Sequence, residues 1–303
     1  MKGKNKLINN KFIIFIYLAI IFQTHHLSNS TKSATDPIII RSQDSSSKHF
    51  VLVHGACHGA WSWYKLLPLL KLLSGSHKVT ALDLGASGIN PQLFYNVKTI
   101  SQYFLPLMDF MASLPPHERV ILVGHSLGGL AISQAMEMFP EKVAVAVFVT
   151  ALMPGPLFNI SILNKELSSR QGPLLDSRFV YSNGPHSRPI GFEFGPKDLA
   201  KRVYQRSPIE DIALAGVLAR PVYLYNEYEM AKLKLSTRKY GSVSRVFIMS
   251  EEDKLIEKDF QEWMTTKNPP KQVLEIKGSD HMVMLSKPTE LFVLLLRIAE
   301  NYP

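Results

Sequence analysis

The hexapeptide Gly124-His125-Ser126-Leu127-Gly128-Gly129 sets a serine between glycines two positions before and two after it. An apolar run, Arg119 to Val123, precedes it, and a helical pattern, Leu130 to Phe139, follows at once. A sharp strand-to-helix turn lifts a hydroxyl clear of the backbone, and its crowding requires small neighbours. The following helix aims its first amides at the reacting oxygen. The chemistry indicated is attack by Ser126 on an acyl carbon. A serine hydroxyl attacks only when a base takes its proton, and an acid must orient that base. The histidines after Ser126 are His186 and His281. His186 stands among Gly184, Pro185 and Pro189, which is loop composition. His281, in Gly278-Ser279-Asp280-His281, lies between the last apolar run and the last helical pattern and is the candidate base. The acid is sought in Met249-Ser250-Glu251-Glu252-Asp253-Lys254, where spacing alone does not choose among Glu251, Glu252 and Asp253. Asp280, adjacent to His281, is expected to point away and to cap its loop or the next helix. His54 and His58 are four apart, but they sit in the loop His54-Gly55-Ala56-Cys57-His58-Gly59-Ala60-Trp61, without an H-E-x-x-H frame or a third ligand. No metal and no cofactor are expected.

These residues need a scaffold, and the chain supplies a repeating one. Short apolar runs at Phe50–Val53, Lys78–Leu84, Arg119–Val123, Val143–Thr150, Arg245–Met249 and Gln272–Ile276 read as strands. Helical patterns at Ala60–Leu73, Lys98–Ser113, Leu130–Phe139 and Thr289–Glu300 lie between or after them. Strands this uniformly apolar are covered on both faces, so the expected architecture is α/β: a mostly parallel central sheet flanked by helices. With a serine turn after the third strand, this is the α/β-hydrolase fold, in which the chain order is Ser, then Asp or Glu, then His. One oxyanion amide then comes from Leu127, directly after the nucleophile, and the other from the loop after the first strand. Residues 155 to about 240, rich in proline, glycine and aromatics, break the rhythm and are expected to form a partly helical cap over the site. Ser207-Pro208-Ile209-Glu210 reads as a helix start with Ser207 as its cap.

With 46% hydrophobic and 19% charged residues in 303, the composition is that of a globular domain. Residues 1–48 hold seven Lys/Arg against two Asp, so +5 of the net +9 sits there. The remainder has no basic run with interleaved aromatics, which argues against nucleic-acid binding. Lys2, Lys4, Lys6 and Lys11 precede an apolar run from Phe12 to Phe22, 11 residues where a membrane span needs about 20. A basic start and a short apolar run read as a signal peptide over residues 1–30, followed by a polar linker at 31–48 and the hydrolase domain at 49–303. Secretion or an extracellular site is the expectation, with a plastid address or a membrane anchor as alternatives. The single cysteine, Cys57, excludes an internal disulfide. Asn159-Ile160-Ser161 matches a glycosylation sequon.

The loop HGACHGAW, the turn GHSLGG, the segment SEEDK and the segment GSDHMVML together resemble the plant methylesterase and hydroxynitrile lyase family from Phe50 to Tyr302. Phe194-Gly195-Pro196-Lys197 and Tyr240-Gly241-Ser242-Val243 are similar to that family as well. The resemblance implies Asp253 as the acid and the amides of Ala56 and Leu127 as the oxyanion hole. It also implies hydrolysis of methyl esters of small apolar metabolites, such as salicylate, jasmonate, indole-acetate or alkaloid esters. The expected partner is the small-molecule ester, and a homodimer stays open. Two further readings are a hormone receptor with little turnover and a hydroxynitrile lyase. Lyase relatives carry Thr where this chain has Gly55, and Lys where it has Met282, so the resemblance favours the esterase branch.

Overall fold

The computed structural model describes residues 47–73, 77–170, 172–184 and 186–302. The expected signal segment and the linker through residue 46 lie outside the described residues. In chain order the strands are β1 (His49–Val53), β2 (Lys78–Leu82), β3 (Val120–His125), β4 (Val143–Val149), β5 (Arg178–Tyr181), β6 (Pro189–Glu193), β7 (Val222–Tyr223), β8 (Arg245–Ser250) and β9 (Gln272–Ile276). The longer helices are α1 (Ile100–Ser113), α2 (Gly128–Met138), α3 (Ile160–Arg170), α4 (Ile209–Leu218), α5 (Lys258–Lys267) and α6 (Pro288–Asn301).

Six strands form one sheet in the order β2-β1-β3-β4-β8-β9, and every neighbouring pair is parallel. The sequence explains the order. β1, β3 and β4 are buried throughout and apolar apart from His49 and His125 at strand ends, as interior strands covered on both faces must be. β2 and β9 carry polar residues, are partly exposed and take the edges. Two apolar clusters fill the two faces, one around α1 and α2 and the other around Trp63 and α6.

The excursion between β4 and β8 holds α3, α4 and a second sheet, the antiparallel β5-β6-β7. That small sheet escapes the sequence reading because Gly191 and Pro189 interrupt its alternation. Ala60–Leu73 is not one helix but a 3-10 turn at Ala60–Trp63, a turn of α-helix at Leu66–Pro68 and a wide turn at Leu69–Leu73. Pro68 has no N–H to continue a helix, and the Ala60 amide is spent on Asp83 at 2.6 Å. Ser207 does not cap α4 either: the helix starts at Ile209 with Pro208 at the cap position, and the Ser207 hydroxyl points to the buried Asp280 carboxylate, to which it donates at 2.8 Å.

Among the described residues, four non-glycine residues adopt left-handed backbone, and each follows a different strand: Cys57 after β1 (φ 64), Ala86 after β2 (φ 59), Ser126 after β3 (φ 52) and Thr150 after β4 (φ 38). This conformation is costly for L-residues with a side chain. All four lie beyond the carboxyl ends of adjacent strands, the edge where open parallel sheets bind ligands.

The same edge carries histidines that serve the fold. His54, at the end of β1, donates from Nδ1 to the Gly55 carbonyl (2.7 Å) and accepts at Nε2 from the Leu84 amide (3.0 Å), so it joins β1 to the chain leaving β2. His58 donates from Nδ1 to the Ala56 carbonyl (2.8 Å) and accepts at Nε2 from the Tyr204 hydroxyl (2.6 Å). Burial pushes the His54 imidazole below the usual range and the His58 imidazole down to about 4. Such a group is neutral when folded and takes up a proton on unfolding. Stability is therefore complete above the unfolded value near 6.5 and is lost as pH falls from there toward the folded value. At pH 5, His58 alone is expected to lower stability by about 2 kcal/mol relative to pH 8. Urea unfolding across pH 5–8 measures this: His58→Gln should flatten the slope by about one proton, and a slope equal to that of the wild type contradicts the assignment.

Candidate active site

The turn after β3 is built by close contacts. Ser126 leaves the strand at φ 52, and its carbonyl accepts the amides of Gly129 (3.1 Å) and Leu152 (3.0 Å). A Cβ on Gly128 would lie 2.5 Å from the His54 carbonyl oxygen, and one on Gly129 would lie 2.2 Å from that of Leu152. Only glycine lets α2 start this close to β1 and to the chain leaving β4. Ser126 remains 8% exposed, where His281 is 2% and Asp253 4% exposed, so the hydroxyl is the most accessible of the three.

His281 and Asp253 are brought together: Nδ1–H of His281 donates to Asp253 Oδ2 at 2.7 Å. That bond fixes the tautomer and leaves Nε2 as the basic nitrogen. The other oxygen, Oδ1, accepts the amides of Leu255 (2.7 Å) and Ile256 (2.8 Å). The His281 ring packs 4.7 Å from the ring of His125, the residue before the serine. His125 donates from Nε2 to the His281 carbonyl (2.8 Å), a second tie between the serine turn and the base loop. Burial, reinforced by the charge of His281, keeps the His125 imidazole well below its ordinary value.

The neighbouring carboxylates have other work. Glu251 accepts the Gly278 amide (2.8 Å), and Glu252 pairs with Arg206. Both act as tethers of the loop that carries Asp253. Asp280 turns away from the imidazole: Oδ1 accepts the Met282 amide (3.0 Å), and Oδ2 accepts the Arg206 amide (2.9 Å) and the Ser207 hydroxyl. Burial raises its carboxyl above the ordinary range. His186 is exposed in the cap, away from these contacts. His54 and His58 are held by the bonds described above, and no group of three metal-ligating side chains occurs among the described residues.

Three further side chains complete the frame. Gln261, on α5, accepts the Ser250 amide and donates to the Ser250 and Ile256 carbonyls, gripping the acid loop at both ends. The Ser250 hydroxyl bonds the carbonyl of Asp280 (2.8 Å) and the hydroxyl of Ser279 (2.9 Å), joining the acid loop to the base loop. Thr150 donates its hydroxyl to Asp253 Oδ2 at 2.5 Å. Only the strand order could have signalled it, since β4 lies between β3 and β8 and its exit must meet both turns.

On the cap side, a chain of aromatic contacts runs from Phe179 through Phe192 and Phe194 to His58. The amides of Ala56 and Leu127 give no hydrogen bond to a partner among the described residues. The arrangement combines an oriented imidazole, a strained serine and spare amides, which is the equipment of acyl transfer.

Comparison with known proteins agrees with this geometry. A family model described as the alpha/beta hydrolase family matches residues 50–293. Methyl jasmonate esterase 1 of Vitis vinifera is 49% identical over 261 residues, covering 86% of this chain and 99% of that protein. Salicylic acid-binding protein 2 of Nicotiana tabacum is 46% identical over 258 residues, covering 84% and 98%. The crystal structure of tomato methylketone synthase I complexed with 2-tridecanone superposes with a TM-score of 0.81 at 53% identity, covering 86% of this chain and 100% of that one. The chain belongs to the alpha/beta hydrolase family, on the branch that holds the plant methylesterases.

Proposed function

We propose that this protein is a serine carboxylesterase that hydrolyses methyl esters of small apolar plant metabolites. Ser126 is the nucleophile, His281 the general base, Asp253 the orienting acid, and the amides of Ala56 and Leu127 the oxyanion hole. The observation that carries this reading is the buried 2.7 Å bond from His281 to Asp253 beside a serine held in left-handed backbone.

The reaction runs in two stages. Nε2 of His281 takes the Ser126 proton as Oγ attacks the ester carbonyl. The tetrahedral oxyanion is met by two fixed amides, each worth about 3 kcal/mol in the transition state. The Leu127 amide also stands at the start of α2, where the helix dipole favours negative charge. His281 returns its proton to the departing alcohol, and the carbonyl carbon is left bonded to Ser126. Water then attacks with the same base, and the acid leaves. Asp253 offsets the imidazolium charge in both stages without taking the proton. The aromatic contacts of the cap suit an uncharged substrate that gives up its water on entry.

Gly55 and Met282 support the esterase over the lyase. A Cβ at position 55 would lie 2.7 Å from Ser126 Cβ and 3.2 Å from its Oγ, so a larger residue there displaces the hydroxyl. Met282 is fully buried and uncharged beside the base, and so offers nothing to bind a cyanide ion.

The test is acid release by the full chain from methyl salicylate, methyl jasmonate, methyl indole-acetate and an alkaloid methyl ester. Turnover of at least one ester is expected, abolished in Ser126→Ala and lowered roughly 10³- to 10⁴-fold in kcat by Asp253→Asn, which leaves His281 in the wrong tautomer. Well-folded wild type that binds these esters and turns over none would replace the esterase with a receptor. Gly55→Ala is expected to lower kcat/KM roughly 10- to 100-fold by moving Oγ, and unchanged kinetics would remove Gly55 from the argument.

The proposal extends to delivery through the secretory pathway by residues 1–30, supported by the basic start and the 11-residue apolar run Phe12–Phe22. Mass spectrometry of the protein isolated from plant tissue should find an N-terminus near residue 31. An N-terminus at Met1 contradicts cleavage.

A further inference from the structure

We propose that Thr150 is a positioning residue for the acid and base: its hydroxyl fixes the Asp253 carboxylate and shares the oxygen that His281 uses. The proposal rests on the roles given to Asp253 and His281 above.

Four observations converge on it. Thr150 is fully buried and donates to Asp253 Oδ2 at 2.5 Å, while His281 Nδ1–H reaches the same oxygen at 2.7 Å. Its backbone is left-handed at φ 38, which a β-branched residue avoids unless its surroundings force it. The forcing contacts lie on either side. The Thr150 amide makes a last bond to the Ile248 carbonyl of β8 (2.8 Å), and two residues later the Leu152 amide bonds the Ser126 carbonyl (3.0 Å). The strained turn therefore leads the chain leaving β4 from a bond with β8, the strand before Asp253, to a bond with the turn that holds Ser126. Its side chain grips the acid, and its continuation grips the serine backbone.

The consequence is both geometric and electrostatic. With Leu255 and Ile256 on Oδ1 and Thr150 on Oδ2, the carboxylate is held from both ends and cannot rotate away from the imidazole. The hydroxyl also draws charge from the oxygen that stabilises the imidazolium. Removing it returns that charge to the His281 bond, so the imidazole holds its proton to higher pH. The other titratable groups that act on His281 are His58, His125 and Asp280. None of them bonds Thr150 or Asp253, and burial holds both of those histidines below their ordinary value.

Thr150→Val keeps the branched shape and deletes the hydroxyl, whereas Thr150→Ser keeps the hydroxyl. The first readout needs no turnover: the far-downfield proton NMR signal of His281 Nδ1–H, assigned by its loss in His281→Ala, is followed against pH. Thr150→Val should move its midpoint up by about half a pH unit, and Thr150→Ser should leave it in place. The second readout is hydrolysis of p-nitrophenyl acetate, where Thr150→Val should lower kcat about tenfold with KM unchanged, and Thr150→Ser should restore it. A Thr150→Val protein with wild-type thermal stability and an unshifted midpoint overturns the proposal, whatever its activity. Ser126→Ala that retains full turnover would instead overturn the nucleophile, while the NMR titration still decides the role of Thr150.

Discussion

The hydrogen bond from His281 to Asp253 joins two loops that leave neighbouring parallel strands, and nothing in β8 or β9 alone would hold those loops in register. Their alignment comes from buried polar groups around them. Ser250, the last residue of β8, bonds the Ser279–Asp280 turn, and Gln261 grips Ser250 and Ile256 from α5. Each of these groups is out of water, so each must find its partner or cost about 1–3 kcal/mol. That penalty makes the arrangement unique, because a shifted loop would strand several donors at once.

Strain is concentrated along the same edge. The left-handed residues after β1, β2, β3 and β4 each cost about 1–3 kcal/mol, and they sit where the chain turns at the carboxyl ends of the strands. The burial of β1, β3 and β4 on both faces compensates for it. A serine aimed away from its backbone is thus a property of the sheet as a whole.

The cap is tied to this machinery at the loops themselves. Arg206 and Ser207 reach Glu252 and Asp280, which flank the acid and the base, and Gln205 donates to the Glu252 carbonyl. Tyr204 also bonds His58, and Cys57 Sγ donates to the Phe192 carbonyl at 3.5 Å. Substitutions in residues 204–207 therefore act on the loops that carry Asp253 and His281.

Much of this was legible in the chain. The six sheet strands announce themselves as short, mostly apolar runs, and the serine turn because its packing against backbone oxygens leaves no room for a Cβ at 128 and 129. His281 follows from its place between the last strand and the last helix. The acid did not follow from spacing, since three carboxylates stand in a row, and only the loop's path sends Asp253 inward while Glu251 and Glu252 go to Gly278 and Arg206. The antiparallel cap sheet, the diversion of Ser207 to Asp280, and the contacts of Thr150 and Gln261 with the acid loop were likewise decided by tertiary structure. The physical reason is common to them. Periodicity records which face of an element meets the core, whereas a hydrogen bond between residues 103 positions apart, such as that of Thr150 with Asp253, depends on strand order and loop path, which no local pattern encodes.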